Sequence, residues 1–248
     1  MPYKPDLLII DSTGALKQET RPNKEAKVCQ NILELTSGHI RKNPRAKAYV
    51  ALFSTQVERV QALSKGIKSI TGLAPKIVGM SLVQNLKAFD SSIVSDLRSP
   101  VSFCTGVWAQ GAGNVFDSSS ALVRLANGTD KFDMIESGDL VILSGSIPTW
   151  SPTLSFQIQG MCEKLVGRGA RVIVDTSAPM DWLFTERKEV HSGGHGHFPE
   201  IQSVIDRTSP KQVFPFHASQ RARDEVAKYC KGKGIDVAYA NQSQTITF

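Results

Sequence analysis

Apolar and polar positions alternate along this chain in two periods that take turns. Short apolar runs read as strands at Asp6–Asp11, Ala48–Phe53, Lys76–Val78, Val101–Cys104, Leu140–Ser144, Arg171–Asp175 and Gln212–Phe216. Between them, apolar residues recur at helical spacing. Val28, Ile32 and Leu35 mark a helix over Pro22–Arg41, and Val57, Val60, Leu63, Ile67 and Ile70 mark another. Thr55 with Glu58 three residues on forms a capping-box pattern at the start of the second helix. Further helices are predicted over Ser81–Leu97, Ser118–Ala126, from Ser151-Pro152, Phe198–Arg207 and Gln220–Lys233, with Pro152 at a favoured first helical position. Short strands are predicted at Asp236–Tyr239 and Gln244–Phe248. Strands alternating with helices predict an α/β protein with a mostly parallel sheet. The arrangement expected is discontinuous. Residues 45–180 form a central inserted unit, and 1–44 and 181–248 come together as part of another domain.

Composition narrows the class. With 248 residues the chain is long enough to bury a sizeable core, and 41% apolar against 21% charged residues is ordinary for a globular protein. No stretch approaches the roughly 20 apolar residues of a membrane helix. The N-terminal Met1-Pro2-Tyr3-Lys4-Pro5 has no signal-peptide core, so a cytoplasmic protein with no membrane partner is expected. Cys29, Cys104, Cys162 and Cys230 are scattered without a CxxC, which predicts free thiols. A net charge of +6 favours an anionic partner, though proteins without one also carry such an excess.

Candidate chemistry lies where the pattern breaks. Ser54 and Thr55 stand at a strand end and a helix start, where free N–H groups attract phosphate; taken alone, the same residues read first as helix caps. Thr105, Gly106, Gln110 and Gly111 lie in a glycine loop that would let backbone approach an anion. Asp11 ends an apolar strand, as a site carboxylate or as a turn cap. His217 also ends an apolar strand, as a metal ligand or as a structural imidazole. The run His191–His197 reads as a basic, glycine-rich phosphate-binding loop or as a self-contained histidine metal site.

The order of these motifs resembles the β-CASP branch of the metallo-β-lactamase-fold nucleases, which include the bacterial RNase J type and the archaeal and eukaryotic RNA 3′-end endonucleases. Pro5–Thr13 is similar to that family's acidic motif A, with Asp11 where Glu is usual, and Ala51–Arg59 to its FSSxxxR segment. Gly79-Met80-Ser81 is similar to its GxSM element. Thr105-Gly106, Gln110-Gly111 and Ala121–Ala126 are similar to TGSQGE…ALxRLA, and Gly138–Ser144 with Ile147-Pro148 to GDxVIxSS…IPG. His191–His195 is similar to motif B and Pro210–His217 to motif C. Departures are a lengthened loop from Val107 to Asp117, Gly145-Ser146 and Trp150 in the IPG segment, and Ala218-Ser219 in place of Gly-Glu after motif C.

The resemblance implies a β-CASP, Rossmann-like domain inserted in the C-terminal half of an αββα sandwich. It implies hydrolysis of RNA at a two-zinc site, with His217 a metal ligand and Asp11 and His195 catalytic groups beside the metals. It implies substrate binding by Ser54, Thr55, Ser81, Thr105, Gly106, Gln110, Gly111, His191, Ser192 and Gly193. The family's HxHxDH ligand motif normally precedes motif A, and no residue before Asp11 supplies it. Zinc sites take about three to four protein ligands, so little zinc binding is expected from this chain alone. A separate chain carrying those ligands is the expected partner, with homo-oligomerisation as another way to cover an open sheet edge. The alternative is a non-catalytic RNA-binding or scaffold subunit that kept the fold and lost the metals.

Overall fold

The computed structural model describes residues 4–19, 24–53, 56–89, 95–107, 116–130, 133–145, 147, 151–179, 181–193 and 195–239. The chain divides into two compact units, Met1–Asn23 with Gly194–Phe248, and Lys24–Gly193.

The larger unit holds α1 (Lys24–Lys42), β2 (Ala48–Leu52), α2 (Val57–Thr71), β3 (Lys76–Val78), α3 (Met80–Phe89), β4 (Val101–Thr105), α4 (Ala121–Asn127), β5 (Leu140–Leu143), α5 (Pro152–Gly167), β6 (Arg171–Asp175) and β7 (Glu186–Lys188). The smaller holds β1 (Leu7–Asp11), α6 (Phe198–Thr208), β8 (Gln212–Phe216), α7 (Gln220–Gly232) and β9 (Asp236–Val237).

In the larger unit six strands form one sheet in the order β3-β4-β2-β5-β6-β7, and every pairing is parallel. Parallel strands need crossovers, and the helices supply them on both faces. Val28, Ile32, Val60, Leu63, Leu82 and Leu86 of α1, α2 and α3 pack on one face with Ala48, Val50 and Leu52. Leu122, Leu125, Leu154 and Ile158 of α4 and α5 pack on the other with Tyr49 and Ala51. Alternate residues of β2 thus enter opposite cores, so a central strand must be apolar throughout. That is the continuous run that made it readable.

Three features differ from the sequence expectation. The division falls at 23/24 and 193/194, where 44/45 and 180/181 were expected. The cause is packing: α1 buries Val28, Cys29 and Ile32 in the core shared with α2, and β7 pairs with β6. Second, β7 was not anticipated. Its Glu186-Arg187-Lys188 has no apolar signal, as suits an edge strand, and Arg171 of β6 donates to Glu186 at 2.6 Å. Third, the helix expected to reach Leu97 is described only to Phe89. Asp96–Ser99 is a turn, in which the Asp96 side chain accepts from Arg98 N–H at 2.9 Å. The strand expected at Gln244–Phe248 lies outside the described residues.

In the smaller unit β1, β8 and β9 form a parallel sheet in the order β1-β8-β9. Leu8 pairs with Val213 and Ile10 with Pro215, and Leu8, Ile10 and Val213 pack on Ile201, Ile205, Ala222 and Val226 of α6 and α7. The intervening residues point to the opposite face. There Ile9 is 57% exposed and Phe216 42% exposed, so this unit covers one side of its sheet with helices and leaves apolar side chains open on the other. All four cysteines are buried free thiols. Among the described residues no helix is long and apolar enough to cross a membrane.

Candidate functional site

Strands β1 and β8 run side by side in parallel, with Asp11 opposite Phe216. Their carboxyl ends therefore emerge together, which is where open α/β sheets gather functional groups. Asp11 is the last residue of β1, and His217 directly follows β8. The connection between them is tight: Ser12 donates from its backbone and its hydroxyl to Phe216 O, at 3.1 and 3.0 Å. His217 itself adopts φ +56°, a left-handed backbone that side chains other than glycine rarely take.

The loop before α6 delivers the third residue. Gly14 forms an isolated parallel bridge with His197, and Phe198 N–H donates to Lys17 O at 3.0 Å. A Cβ on Gly14 would lie 2.0 Å from Gly196 O, so only glycine admits the two backbones at this distance. At the helix start Glu200 accepts from His197 N–H at 2.9 Å. His195, just ahead of this anchored segment, places Nδ1 2.6 Å from Asp11 Oδ2.

Asp11, His195 and His217 thus form one group, each offering a ligand atom within 4.8 Å of the others. His217 Nδ1 lies 3.7 Å from Asp11 Oδ2, and the two imidazole rings are 5.4 Å apart between centroids. Partial burial pushes the Asp11 carboxyl up, but hydrogen bonds from Thr13 and from His195 outweigh it and hold the carboxyl below the ordinary carboxylate value. Thr13 N–H donates to Asp11 Oδ1 at 2.8 Å. Thr13 was not among the residues singled out from sequence, although it stands two places after the motif A carboxylate, where an Asx turn would put a donor.

Two imidazoles and a carboxylate are donor types that zinc takes, but the 2.6 Å contact commits Asp11 Oδ2 and His195 Nδ1 to each other, which leaves the group short of the roughly three to four ligands of a zinc site. The group does not fit two zinc ions, which need about twice as many donors. It is also the one such group among the described residues. The 2.6 Å contact further marks Asp11 and His195 as a hydrogen-bonded pair, in which the carboxylate orients the imidazole.

The remaining sequence candidates lie in the larger unit, with no single cluster joining them. Ser81 is exposed in the first turn of α3. Thr105 ends β4, and its hydroxyl accepts from Ala121 N–H at 3.0 Å, the first N–H of α4, beside the cap that Ser120 supplies. Gly106 N–H closes the ladder on Leu52 O at 3.0 Å. Ser54, Thr55, Gln110 and Gly111 lie outside the described residues; α2 begins after Gln56, which makes no side-chain cap. Gly193 is exposed, with open space beside its α-carbon.

His191 and Ser192 belong to a buried network centred on Arg59, itself 4% exposed. Arg59 clamps Glu25 with Nε to Oε1 at 2.5 Å and Nη2 to Oε2 at 2.6 Å. It also donates to Ser192 Oγ at 3.0 Å and to Ser144 Oγ at 3.1 Å, and the Ser144 hydroxyl donates to Val190 O at 2.7 Å. Ser192 donates in turn to Glu25. Asp175 accepts from His191 N–H at 2.9 Å and Val190 N–H at 3.2 Å. Burial first, then the adjacent Arg59 guanidinium, push the His191 imidazole down to about 4. The polar groups of Ser192 are committed within this network, as an exposed anion loop would not have them. A metal site made from His191, His195 and His197 is absent among the described residues; His197 Nδ1 faces Glu19 O at 3.1 Å.

Comparison with known proteins places these residues in context. Residues 185–240, which contain both His195 and His217, match the RMMBL family, described as a Zn-dependent metallo-hydrolase RNA specificity domain. Ribonuclease J of Mycobacterium tuberculosis is 26% identical over 239 residues, covering 93% of this chain and 39% of that protein. Ribonuclease J of Mycolicibacterium smegmatis is 27% identical over 225 residues, covering 87% and 37%. Ribonuclease J2 of Bacillus subtilis is 23% identical over 258 aligned positions, covering 97% and 42%. The chain spans about two-fifths of the length of these curated relatives.

Proposed function

This chain is RNase J-like, of the metallo-β-lactamase fold with its β-CASP branch, and from that premise we propose that it is the β-CASP-bearing part of a zinc-dependent ribonuclease. The observation that carries the reading is the convergence of Asp11, His195 and His217 at the carboxyl ends of β1 and β8. In this reading His217 contributes one ligand to the metal centre, and zinc, when bound, supplies an activated water and charge stabilisation. Asp11 orients His195, whose Nε2 would take up or return a proton near the scissile phosphate. The open face of the β1-β8-β9 sheet supports a second point. Ile9 and Phe216 would be covered by the other sheet of an αββα sandwich, and the further zinc ligands would come with it, on a separate chain. RNA contacts would fall to the loops that follow the strands of the six-stranded sheet, including Ser81, Thr105 and Gly106, with Ser54 and Gly111 carried over from the resemblance alone, in a cytoplasmic protein.

The test is reconstitution. The chain is mixed with a metal-binding half that carries HxHxDH, and cleavage of a single-stranded RNA is followed. His217→Ala is expected to abolish cleavage while RNA binding, and its fall with rising salt, persist. His195→Ala is expected to lower the rate by about 10²–10⁴, the usual range for a proton-transfer group. Wild-type cleavage by a folded His217→Ala complex would overturn the mechanism. RNA binding with no cleavage from any combination would favour the scaffold alternative. The isolated chain is expected to hold less than stoichiometric zinc by elemental analysis.

A further inference from the structure

Thr13 touches both Asp11 and His217. Its backbone fixes one oxygen of the Asp11 carboxylate. Its hydroxyl donates to His217 O and lies 3.3 Å from His217 Nδ1. Asp11 Oδ2 lies 3.7 Å from the same nitrogen. A hydroxyl has one hydrogen, and an ionised carboxylate has none. The Thr13 hydroxyl donates its one hydrogen to the His217 carbonyl. None is left to donate to Nδ1. Thr13 Oγ1, within hydrogen-bond distance of Nδ1, can therefore only accept from it, and the Asp11 carboxylate at 3.7 Å favours a proton on the same side; a neutral ring meets both with its proton on Nδ1. Its lone pair is then on Nε2.

We propose that Thr13 is a positioning residue that locks His217 in its Nδ1–H tautomer and so presents Nε2 as the ligating nitrogen. An exposed imidazole in water favours the opposite tautomer, and the ring needs such a partner because its side chain is 63% exposed. Asp11 does the same for His195 through the 2.6 Å contact, so both rings turn the same nitrogen outward. One hydroxyl thereby couples the two strand ends: it holds the left-handed backbone of His217 through the carbonyl and sets the ring chemistry through Nδ1. The meaning of this for catalysis rests on His217 being a metal ligand; the tautomer does not.

The experiment is long-range ¹H–¹⁵N correlation spectroscopy of the histidine rings in the whole chain, labelled with ¹⁵N, at a pH where imidazoles in general are neutral. His217 in the wild type is expected as Nδ1–H. In Thr13→Val and in Thr13→Ala the Nε2–H form is expected to become the larger population, while Thr13→Ser keeps the wild-type pattern. Added zinc is expected to shift Nε2 of His217 in the wild type, with about 10–100-fold weaker apparent affinity in Thr13→Val, the usual effect of losing a group that orients a ligand. Nε2–H in the wild type overturns the proposal without any variant. An unchanged tautomer in a folded Thr13→Val or Thr13→Ala chain overturns it too. An Nδ1–H His217 in a reconstituted complex that cuts no RNA would defeat the ribonuclease reading and leave this inference standing. An Nε2–H His217 in an active complex would do the reverse.

Discussion

The Asp11–His195–His217 group and the Arg59 network both form at the carboxyl ends of parallel strands, and both join a carboxylate, a hydroxyl and imidazole groups. Their solvent exposure sets them apart. In the larger unit Arg59 is buried, and each of its guanidinium nitrogens is hydrogen-bonded, to Glu25, Ser144 or Ser192. A buried charge with every donor satisfied has no capacity left for a ligand, so this cluster holds the chain in place. In the smaller unit the imidazoles are 44% and 63% exposed, and each uses Nδ1 on the protein, which leaves Nε2 for something else. The lesson is that partner count separates a structural cluster from a functional one better than residue type does.

The strongest way to break this comparison is to remove Arg59. Arg59→Met removes a buried side chain with its bonds to Glu25, Ser144 and Ser192; Glu25 is itself 40% exposed and can turn to water, so the cost is roughly 1–3 kcal/mol. His217→Ala, at an exposed site, should change stability by about 0.5 kcal/mol or little more. Denaturant unfolding of both variants reads the difference. Equal midpoints would show that the Arg59 cluster is no more structural than the other.

Acid should find the same cluster. Burial alone would raise the Glu25 carboxyl, but the Arg59 and Ser192 hydrogen bonds outweigh it and hold it at about 2, against an ordinary 4.5. A carboxyl lowered on folding stabilises above its unfolded value, and that contribution is lost as pH falls from 4.5 towards 2. His191, held neutral down to about 4 against an ordinary 6.5, adds an earlier loss. Between those values the unfolded chain takes up a proton that the folded chain refuses. Melting temperature should therefore begin to fall below about pH 6.5 and steepen below 4.5, and Glu25→Gln should flatten the lower part. A wild-type profile flat from pH 7 down to 4 would contradict the network's geometry.

Much of this was legible in the sequence for a physical reason. Strands β2, β3, β6 and β8 were read to within a residue because doubly or singly buried strands carry unbroken or alternating apolar runs. Asp11 and His217 stood out because each ends an apolar run and His195 because it sits in a glycine-rich one; their roles came from the resemblance to motifs A, B and C, and the fold brings the three together. Edge strand β7 was illegible because its residues face solvent and carry charge. Arg59 lay inside a recognised motif without a role. A signal was available: Arg59 stands four residues before Leu63 on the apolar stripe of α2, and Glu25 three before Val28 on that of α1. Opposite charges on two apolar stripes mark a pair with at least one partner buried, here Arg59. Ser192 was taken for a ligand-binding group because sequence cannot show that its hydroxyl has already met Glu25.

The smallest expected effect tests whether the exposed group carries strain. His217 holds φ +56°, where a side chain costs about 1–2 kcal/mol relative to glycine. Such strain gathers at functional sites when neighbours over-determine the backbone, and here the Thr13 hydroxyl and the Ser12 bonds to Phe216 O do so. His217→Ala removes the imidazole and keeps the Cβ; His217→Gly removes both. If the left-handed backbone is strained, the glycine variant should be the more stable of the two by about 1 kcal/mol, although glycine elsewhere lowers stability through the unfolded chain. The comparison needs neither metal nor RNA, only two unfolding curves of the isolated chain. An alanine variant equal to or more stable than the glycine variant would show that His217 sits in its conformation at no cost, and would remove strain from any account of why this strand end is special.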